Sequence, residues 1–367
     1  MKRERLREGF TTGSAAAAGA KAAVLLLLGQ PYVRDVDIAL PIDGRIKIPV
    51  ESVEILPGEV ARATVIKDGG DDPDVTHKAQ IRVNVKWIED VKAGIIIEGG
   101  KGVGRVTRLG LPVAIGKAAI NPAPLLQIEA AVKEGLQQCG IKKSVSVIIE
   151  VDNGEQIAKK TLNPRLGIVG GISILGTRGT VKPFSNDAYK DTITISMDVA
   201  KASNANIISL STGGKSERYL RRIKNKLPDS SFIQVADFFA FSIKAAAERG
   251  FKEIIYSCFF GKLVKMAQGF SNTHAKHSGM NLEKLSKWCI DAGMNKISAL
   301  DVANANTSIE ALYIINRDSL KNEILGVVVN KAMASARKFA GPNIDITYYL
   351  FDFDGSIVMQ KQSKGNF

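Results

Sequence analysis

Ile207-Ile208-Ser209-Leu210-Ser211-Thr212-Gly213-Gly214-Lys215-Ser216 passes from a short apolar, β-branched run through a glycine pair into residues 216–226, a segment of helical composition. A buried strand that ends on glycine and reopens as a helix is the repeating unit of parallel sheets. The same alternation recurs on both sides. Residues 167–175 read as a preceding strand and 187–202 as a helix; strand 232–235, helix 238–249 and strand 253–258 follow. Residues 282–339 are mostly helical in pattern, and a last strand pair, 345–351 and 356–359, turns at Asp354-Gly355. This rhythm predicts a Rossmann-like parallel sheet, whose ligands sit at the carboxyl ends of the strands.

The amino-terminal half has a different rhythm. Thr11, Thr12 and Ser14 offer caps to an alanine-rich helix over 15–28, which Gly29 and Pro31 stop. Strand-like stretches follow at 36–40, 45–50, 61–66, 81–87 and 94–98. A helix at 122–139, stopped by Gly140, and a strand at 145–151 complete a mixed α+β pattern. Asn163-Pro164 breaks the chain where the rhythm changes. The expected fold class is therefore α/β plus α+β: a mixed α+β domain over 1–164, a Rossmann-like domain over 165–340, and a strand pair over 341–367.

A formal net charge of +13 gives the surface a long-range pull on anions, which suits nucleic acid, an anionic membrane or a polycarboxylate alike. Cys139, Cys258 and Cys289 are far apart with no CxxC pair, which argues against a disulfide framework and a structural zinc site; buried free thiols are expected and no metal is assigned. Residues 15–28 are too short, and too interrupted by Gly19 and Lys21, to span a membrane. Gly29-Gln30-Pro31 stands where a signal peptide would need its cleavage site, so a cytoplasmic protein is expected.

Several stretches carry usable chemistry. Gly9-Phe10-Thr11-Thr12-Gly13-Ser14 opens the first helix, where free N–H groups and the dipole make an anion site; a plain helix cap is the alternative. Lys67-Asp68-Gly69-Gly70-Asp71-Asp72-Pro73-Asp74-Val75-Thr76-His77 reads either as acids that offer oxygen ligands to a hydrated cation, with His77 a base, or as a rigid polar loop with a structural histidine. In Gly99-Gly100-Lys101-Gly102-Val103-Gly104-Arg105, Gly102 and Gly104 let backbone approach a ligand; Thr107 breaks the dinucleotide fingerprint. Gly171, Gly176, Thr177 and Gly179 line the exit of the expected strand 167–175, where such a sheet would bind a nucleoside. Thr212, Gly213 and Gly214 do the same after strand 207–210. Gly214-Lys215-Ser216 resembles the end of a P-loop, but Ser209 stands where that motif needs glycine. Lys215 and Arg218 head a helix that also carries Arg221 and Arg222, groups suited to pairing carboxylates. Asp237, Lys262 and Asn272-Thr273-His274 follow later strands, with His277 nearby.

Taken in this order, these motifs resemble the cobalt-precorrin-5B C1-methyltransferase (CbiD) family. The resemblance rests on Gly9–Gly13, the acidic run from Lys67 to His77, Gly99–Thr107, Ala119-Ile120-Asn121-Pro122, Gly171–Thr177, Ser211–Glu217, Gly261-Lys262-Leu263 and Asn272-Thr273-His274, over about residues 9 to 310. It implies transfer of a methyl group from S-adenosyl-L-methionine to C1 of cobalt-precorrin-5B, giving cobalt-precorrin-6A on the anaerobic route to cobalamin. It implies further that the Rossmann-like half binds the adenosyl cofactor and the amino-terminal half faces the tetrapyrrole.

The physics agrees. A sulfonium methyl is already activated, so alignment for in-line displacement is the enzyme's main task, and no GxSxG motif or Cys–His pairing signature stands in the sequence. The cofactor contacts expected are Gly171, Gly176, Thr177, Gly179, Thr212, Gly213 and Gly214. The substrate contacts expected are Thr11, Thr12, Gly13, Ser14, Asp71, Asp72, His77, Gly102, Gly104, Lys215 and Arg218. His274 and Asp237 are the candidate bases. The alternatives are a basic nucleic-acid-binding protein, against which no aromatic-rich basic strand is found, and a P-loop-like phosphotransferase. Neither nucleic acid nor membrane is an expected partner; the oligomeric state, a homo-oligomer included, is left open.

Overall fold

The computed structural model describes residues 6–90, 92, 94–138, 143–275 and 279–365. Cys139, Gly140 and His277 lie outside the described residues. The chain forms two compact units, Met1–Asn186 and Asp187–Phe367.

The first unit runs β1 (Gly9–Phe10), α1 (Thr12–Leu27), β2 (Asp35–Ala39), β3 (Arg45–Pro49), β4 (Ser52–Leu56), β5 (Val60–Ile66), β6 (Gln80–Ile88), β7 (Ile95–Gly99), β8 (Gly102–Val103), β9 (Arg105–Val106), α2 (Pro122–Gln137), β10 (Ser144–Val151), α3 (Gly154–Ala158), α4 (Asn163–Leu166), β11 (Ile168–Val169), β12 (Gly171–Ile172) and β13 (Thr180–Val181). Its main sheet has the order β4-β5-β6-β10-β7, antiparallel except where β10 meets β7. Alternation in β6 and β10 turns Ile81, Val83 and Val85, and Val145, Val147 and Ile149, into the core. Helix α1 covers that face and packs on α2. It is buried on all sides from Thr12 to Leu25, which explains its composition: only alanine and glycine let a helix sit so close to a sheet. At Gly19 a β-carbon would lie 2.7 Å from Val83 Cγ2.

The segment expected to open the parallel sheet, residues 167–175, lies in this first unit instead. It forms β11 and β12, paired with β9 and β8. Its β-branched run gave the right conformation and the wrong neighbour, because strand pattern does not encode pairing partners. Residues 165–186 thus fall in the first compact unit.

The second unit continues with α5 (Asn186–Ala202), β14 (Ile207–Ser211), α6 (Gly214–Ile223), β15 (Phe232–Gln234), α7 (Phe239–Glu248), β16 (Glu253–Cys258), α8 (Phe260–Ala267), α9 (Leu282–Asp291), α10 (Lys296–Asn304), α11 (Ser308–Asn316), α12 (Lys321–Ala340), β17 (Asp345–Phe351) and β18 (Ile357–Ser363). The sheet order is β15-β14-β16-β17-β18, parallel through β17, with β18 antiparallel. The last strand pair is therefore part of this sheet rather than an appendage. Strand residues alternate between two cores. Leu220 of α6 joins Phe232, Ile255, Tyr349 and Phe351 on one face; Ile208, Tyr256 and Tyr348 join α5, α7, α8 and α12 on the other. Buried Cys258 and Cys289 are free thiols, as expected, and burial pushes the Cys289 thiol up to about 12. Among the described residues no helix is long and apolar enough to cross a membrane.

Candidate functional site

In the first unit the expected ligand groups are engaged by the chain itself. Thr11 Oγ1 accepts from Ser14 N at 3.2 Å, and Gly13 N donates to Leu175 O at 3.0 Å. Thr11 N and Ser14 Oγ both donate to Gly179 O. Thr12 Oγ1 accepts from Leu175 N, and all three hydroxyl side chains are buried. The expected anion site at the start of α1 is thus filled from within by residues 175–179. Gly176 and Gly179 have φ of +137° and +80°, and a β-carbon on either would run into Thr11, or into Leu40 and Ser14. These glycines, with the neighbouring Thr177, therefore do not lie at a strand exit of the parallel sheet. Gly171 lies with its backbone against Gly102, and Gly104 against Ile168 and Gly171. The close approach expected of Gly102 and Gly104 is made to their own chain.

The acidic loop is a latch. The Arg7 guanidinium pairs with the Asp68 carboxylate and holds it down to about 2, burial opposing. Arg7 N donates to Asp71 Oδ2 at 2.6 Å, and Phe184 N to Asp72 Oδ1 at 2.8 Å. Gly69 N donates to His77 Nδ1 at 3.0 Å. Lys67, only 1% exposed, donates to Asp74 Oδ2 at 2.7 Å. Burial acts to raise the Asp74 carboxyl, but Lys67 and Thr76 outweigh it. Of the two readings the rigid loop is the one the geometry supports: Asp71 ties down Arg7, Asp72 ties down Phe184, and His77 closes the loop on Gly69. Among the described residues no cluster of His, Cys, Asp or Glu could hold a metal ion.

The second unit differs. Four loops gather at the carboxyl edge of its parallel strands: Thr212-Gly213 after β14, Ala236-Asp237 after β15, Phe259 after β16, and residues 352–356 after β17. From β14 the chain passes to β15 on one side; from β15 it crosses to β16 on the other. Neighbouring loops at such a reversal leave toward opposite faces and open a crevice between them. By that rule a crevice is expected between Thr212-Gly213 and Phe259. The two strand ends are joined there by the Ser211–Ser257 hydroxyl pair at 2.7 Å and by Thr212 N donating to Ser257 O at 3.2 Å.

Gly213 is extended, with φ 178°, and a β-carbon there would meet nothing within 4 Å. Nothing in the fold requires glycine at this position. Lys215 and Arg218 are exposed on the first turns of α6. Asp237 accepts from Lys262 Nζ and, at 2.9 Å, from Thr273 Oγ1, both at Oδ1. Burial acts to raise its carboxyl, yet the hydrogen bonds from Lys262 and Thr273 outweigh it and hold Asp237 below its ordinary range. That makes it a poor proton acceptor, contrary to the expectation of a base, and a good counter-ion. Lys265 Nζ donates to Thr273 O at 3.1 Å. His274 is exposed beside Asp237, its own N–H held by Asn272 Oδ1 at 2.8 Å. The structure thus brings Thr212, Gly213, Lys215, Asp237 and His274 to one edge, and adds Lys262, Thr273, Phe259, Tyr219 and Phe353. One faint sequence signal marks Phe353: an aromatic residue directly before an Asp-Gly turn, where polar residues are usual.

Comparison with known proteins gives concordant matches. The sequence model of the CbiD family matches residues 1–183, and that of the CbiD C-terminal domain matches residues 272–362. A relative from Nitratidesulfovibrio vulgaris, named cobalt-precorrin-5B C(1)-methyltransferase, is 47% identical over 360 residues, covering 96% of this chain and 92% of its own. Proteins of the same name from Geobacillus sp. and Priestia megaterium are 40% and 39% identical, covering 96% and 99% of this chain and 96% and 98% of their own. A solved structure of the cobalamin biosynthesis protein (cbiD) from Archaeoglobus fulgidus aligns with TM-score 0.40 and 30% identity, covering 70% of this chain and 78% of its own.

Proposed function

The chain belongs to the CbiD family, and on that premise we infer that it carries out the step its relatives are named for, C1-methylation of cobalt-precorrin-5B in cobalamin biosynthesis. It is a C-methyltransferase. We take S-adenosyl-L-methionine as the methyl donor and the carboxyl edge of the second unit's sheet as its seat, the sheet being read as Rossmann-like.

The observation that carries this seat is Gly213. A glycine in extended backbone, facing open space beside a crevice at a strand-order reversal, is explained by a ligand that comes where a side chain would stand. Asp237 lies in the loop after β15, the strand neighbouring β14, where an acid in such sheets takes ribose hydroxyls; Lys262 and Thr273 bond its Oδ1, leaving Oδ2 for that contact. The bound donor supplies an activated methyl on a positive sulfur. The residues' work is alignment, worth roughly 7–11 kcal/mol in well-oriented systems. The negative charge kept on Asp237 suits a cationic donor. To His274, exposed at the same edge, we assign the removal of a ring proton, and to Lys215 and Arg218 the substrate's carboxylates.

Isothermal titration with S-adenosylhomocysteine tests the seat. The intact protein should bind with a dissociation constant of about micromolar order, and Gly213→Leu should weaken binding by about tenfold or more with an unchanged unfolding midpoint. Undiminished binding in Gly213→Leu would place the donor elsewhere.

A further inference from the structure

At the same edge, the turn between β17 and β18 holds Phe353 with 47% of its surface exposed. An exposed phenylalanine on a floppy turn would mean little, but this turn is fixed at several points. Tyr219 Oη donates to Phe353 O at 2.7 Å, and Phe353 N donates to Asp352 Oδ1 at 2.7 Å. Gly355, at φ +97°, lets the backbone lie on the Tyr219 ring, where a β-carbon would come 2.8 Å from Cε1. Asp354 is engaged by Ser356, through its N and Oγ at 2.8 Å each. The Phe353 ring itself stacks on Phe259, with centroids 4.7 Å apart and planes 7° from parallel. Lys215, next to the Gly213-Gly214 loop, places its ammonium 5.3 Å from the Phe353 centroid.

A rigid, partly exposed aromatic face with an exposed lysine ammonium over it recognises a flat conjugated ring that carries anionic groups at its rim. Adenosine supplies a flat ring with no rim anion; a tetrapyrrole polycarboxylate supplies both. We propose that Phe353, backed by Phe259, is the stacking surface for the macrocycle of cobalt-precorrin-5B, and that Lys215 swings from the ring to a rim carboxylate. This rests on the methyltransferase reading above and extends it by giving the acceptor its place beside the donor's crevice.

The test is steady-state methyl transfer with cobalt-precorrin-5B, paired with S-adenosylhomocysteine titration of the same full-length variants. Phe353→Ala should raise KM for the macrocycle by about tenfold and leave kcat and S-adenosylhomocysteine affinity within about twofold, with the unfolding midpoint lowered only by the lost Phe259 stack. Phe353→Trp should restore KM, while Phe353→Leu, apolar but not flat, should not. Lys215→Ala should raise KM and flatten its dependence on salt, with Lys215→Arg restoring both. An unchanged KM in Phe353→Ala overturns the proposal. So does a parallel loss of S-adenosylhomocysteine affinity, which would give the ring to the donor instead. Failure of the intact protein to bind S-adenosylhomocysteine or transfer methyl would sink the underlying reading, and is separable because it needs no variant.

Discussion

In the first unit, Gly9, Gly70, Gly102, Gly171 and Gly176 stand where a methyl group would run into backbone or into Thr11. In the second, Gly213 stands in extended backbone with open space around it. On the page of sequence both sets read as glycine-rich loops, and Gly102, Gly171 and Gly176 are expected to approach ligands just as Gly213 is. Glycine answers two separate demands, close packing of the chain on itself and close approach of something else. Only the surroundings tell them apart: what a β-carbon would touch separates a glycine the fold consumes from one it leaves over.

The sharpest way to break that distinction is to fill both kinds of glycine. Gly102 combines φ +79° with a backbone oxygen, Val151 O, in the place a β-carbon would take. Gly102→Ala is expected to lose about 3 kcal/mol or more, from left-handed strain and overpacking together. Gly213→Ala should stay within about 0.5 kcal/mol of the parent. Urea unfolding of both variants decides it. Equal losses would mean that Gly213 is as structural as Gly102.

Next in size is the buried anchor of the acidic latch. Lys67→Met removes the cation that faces Asp74 in a site nearly closed to water. Stripping one partner from such a pair costs up to about 3–5 kcal/mol; Thr76, which still donates twice to Asp74, should hold the loss to about 2–3 kcal/mol. Because the latch fastens residues 7–10 to the loop after β5, the loss should appear in thermal unfolding while S-adenosylhomocysteine affinity, measured well below the midpoint, stays put. A variant that keeps its midpoint and loses affinity would return the acidic loop to the list of ligand sites.

Sequence patterns carried most elements because they rest on local rules. The caps of α1, the alternation in β6 and β10, and the strand–helix rhythm after residue 187 each follow from neighbours a few positions apart. What local rules do not carry is who pairs with whom. Residues 168–172 were legible as strand, but their partners are residues 102–106, more than sixty positions away. The same limit governs the candidate site. Gly213 and Asp237 follow strands of one sheet and could be placed from the rhythm. Phe353 is brought beside Lys215 only by the pairing of β17 with β16, which no short pattern announces. The acids at 68–74 show the converse error: a density of carboxylates suggests a ligand, yet Arg7, Lys67, Thr76 and the N–H of Phe184 account for them once the fold is known.

The smallest expected effect separates two carboxylates that look alike in their titration. Asp68 and Asp237 are both held below the ordinary range, Asp68 by Arg7 and Asp237 by Lys262 and Thr273 against burial. Asp68 titrates near 4 in the unfolded chain and at about 2 when folded. Between those values the unfolded state binds more protons, so the stability Asp68 lends is whole above about pH 4 and is lost as pH falls toward about 2. Asp68→Asn should flatten the stability–pH curve in that window. The change should stay below about 1 kcal/mol, since the pair is partly exposed and screened, and should shrink further in added salt. S-adenosylhomocysteine affinity at neutral pH should not move. Asp237→Asn should instead weaken that affinity, because the proposed seat of the donor includes Asp237. If the two variants traded readouts, the division between a unit that spends its polar groups on itself and an edge that keeps them for ligands would fail at the residues where it is easiest to measure.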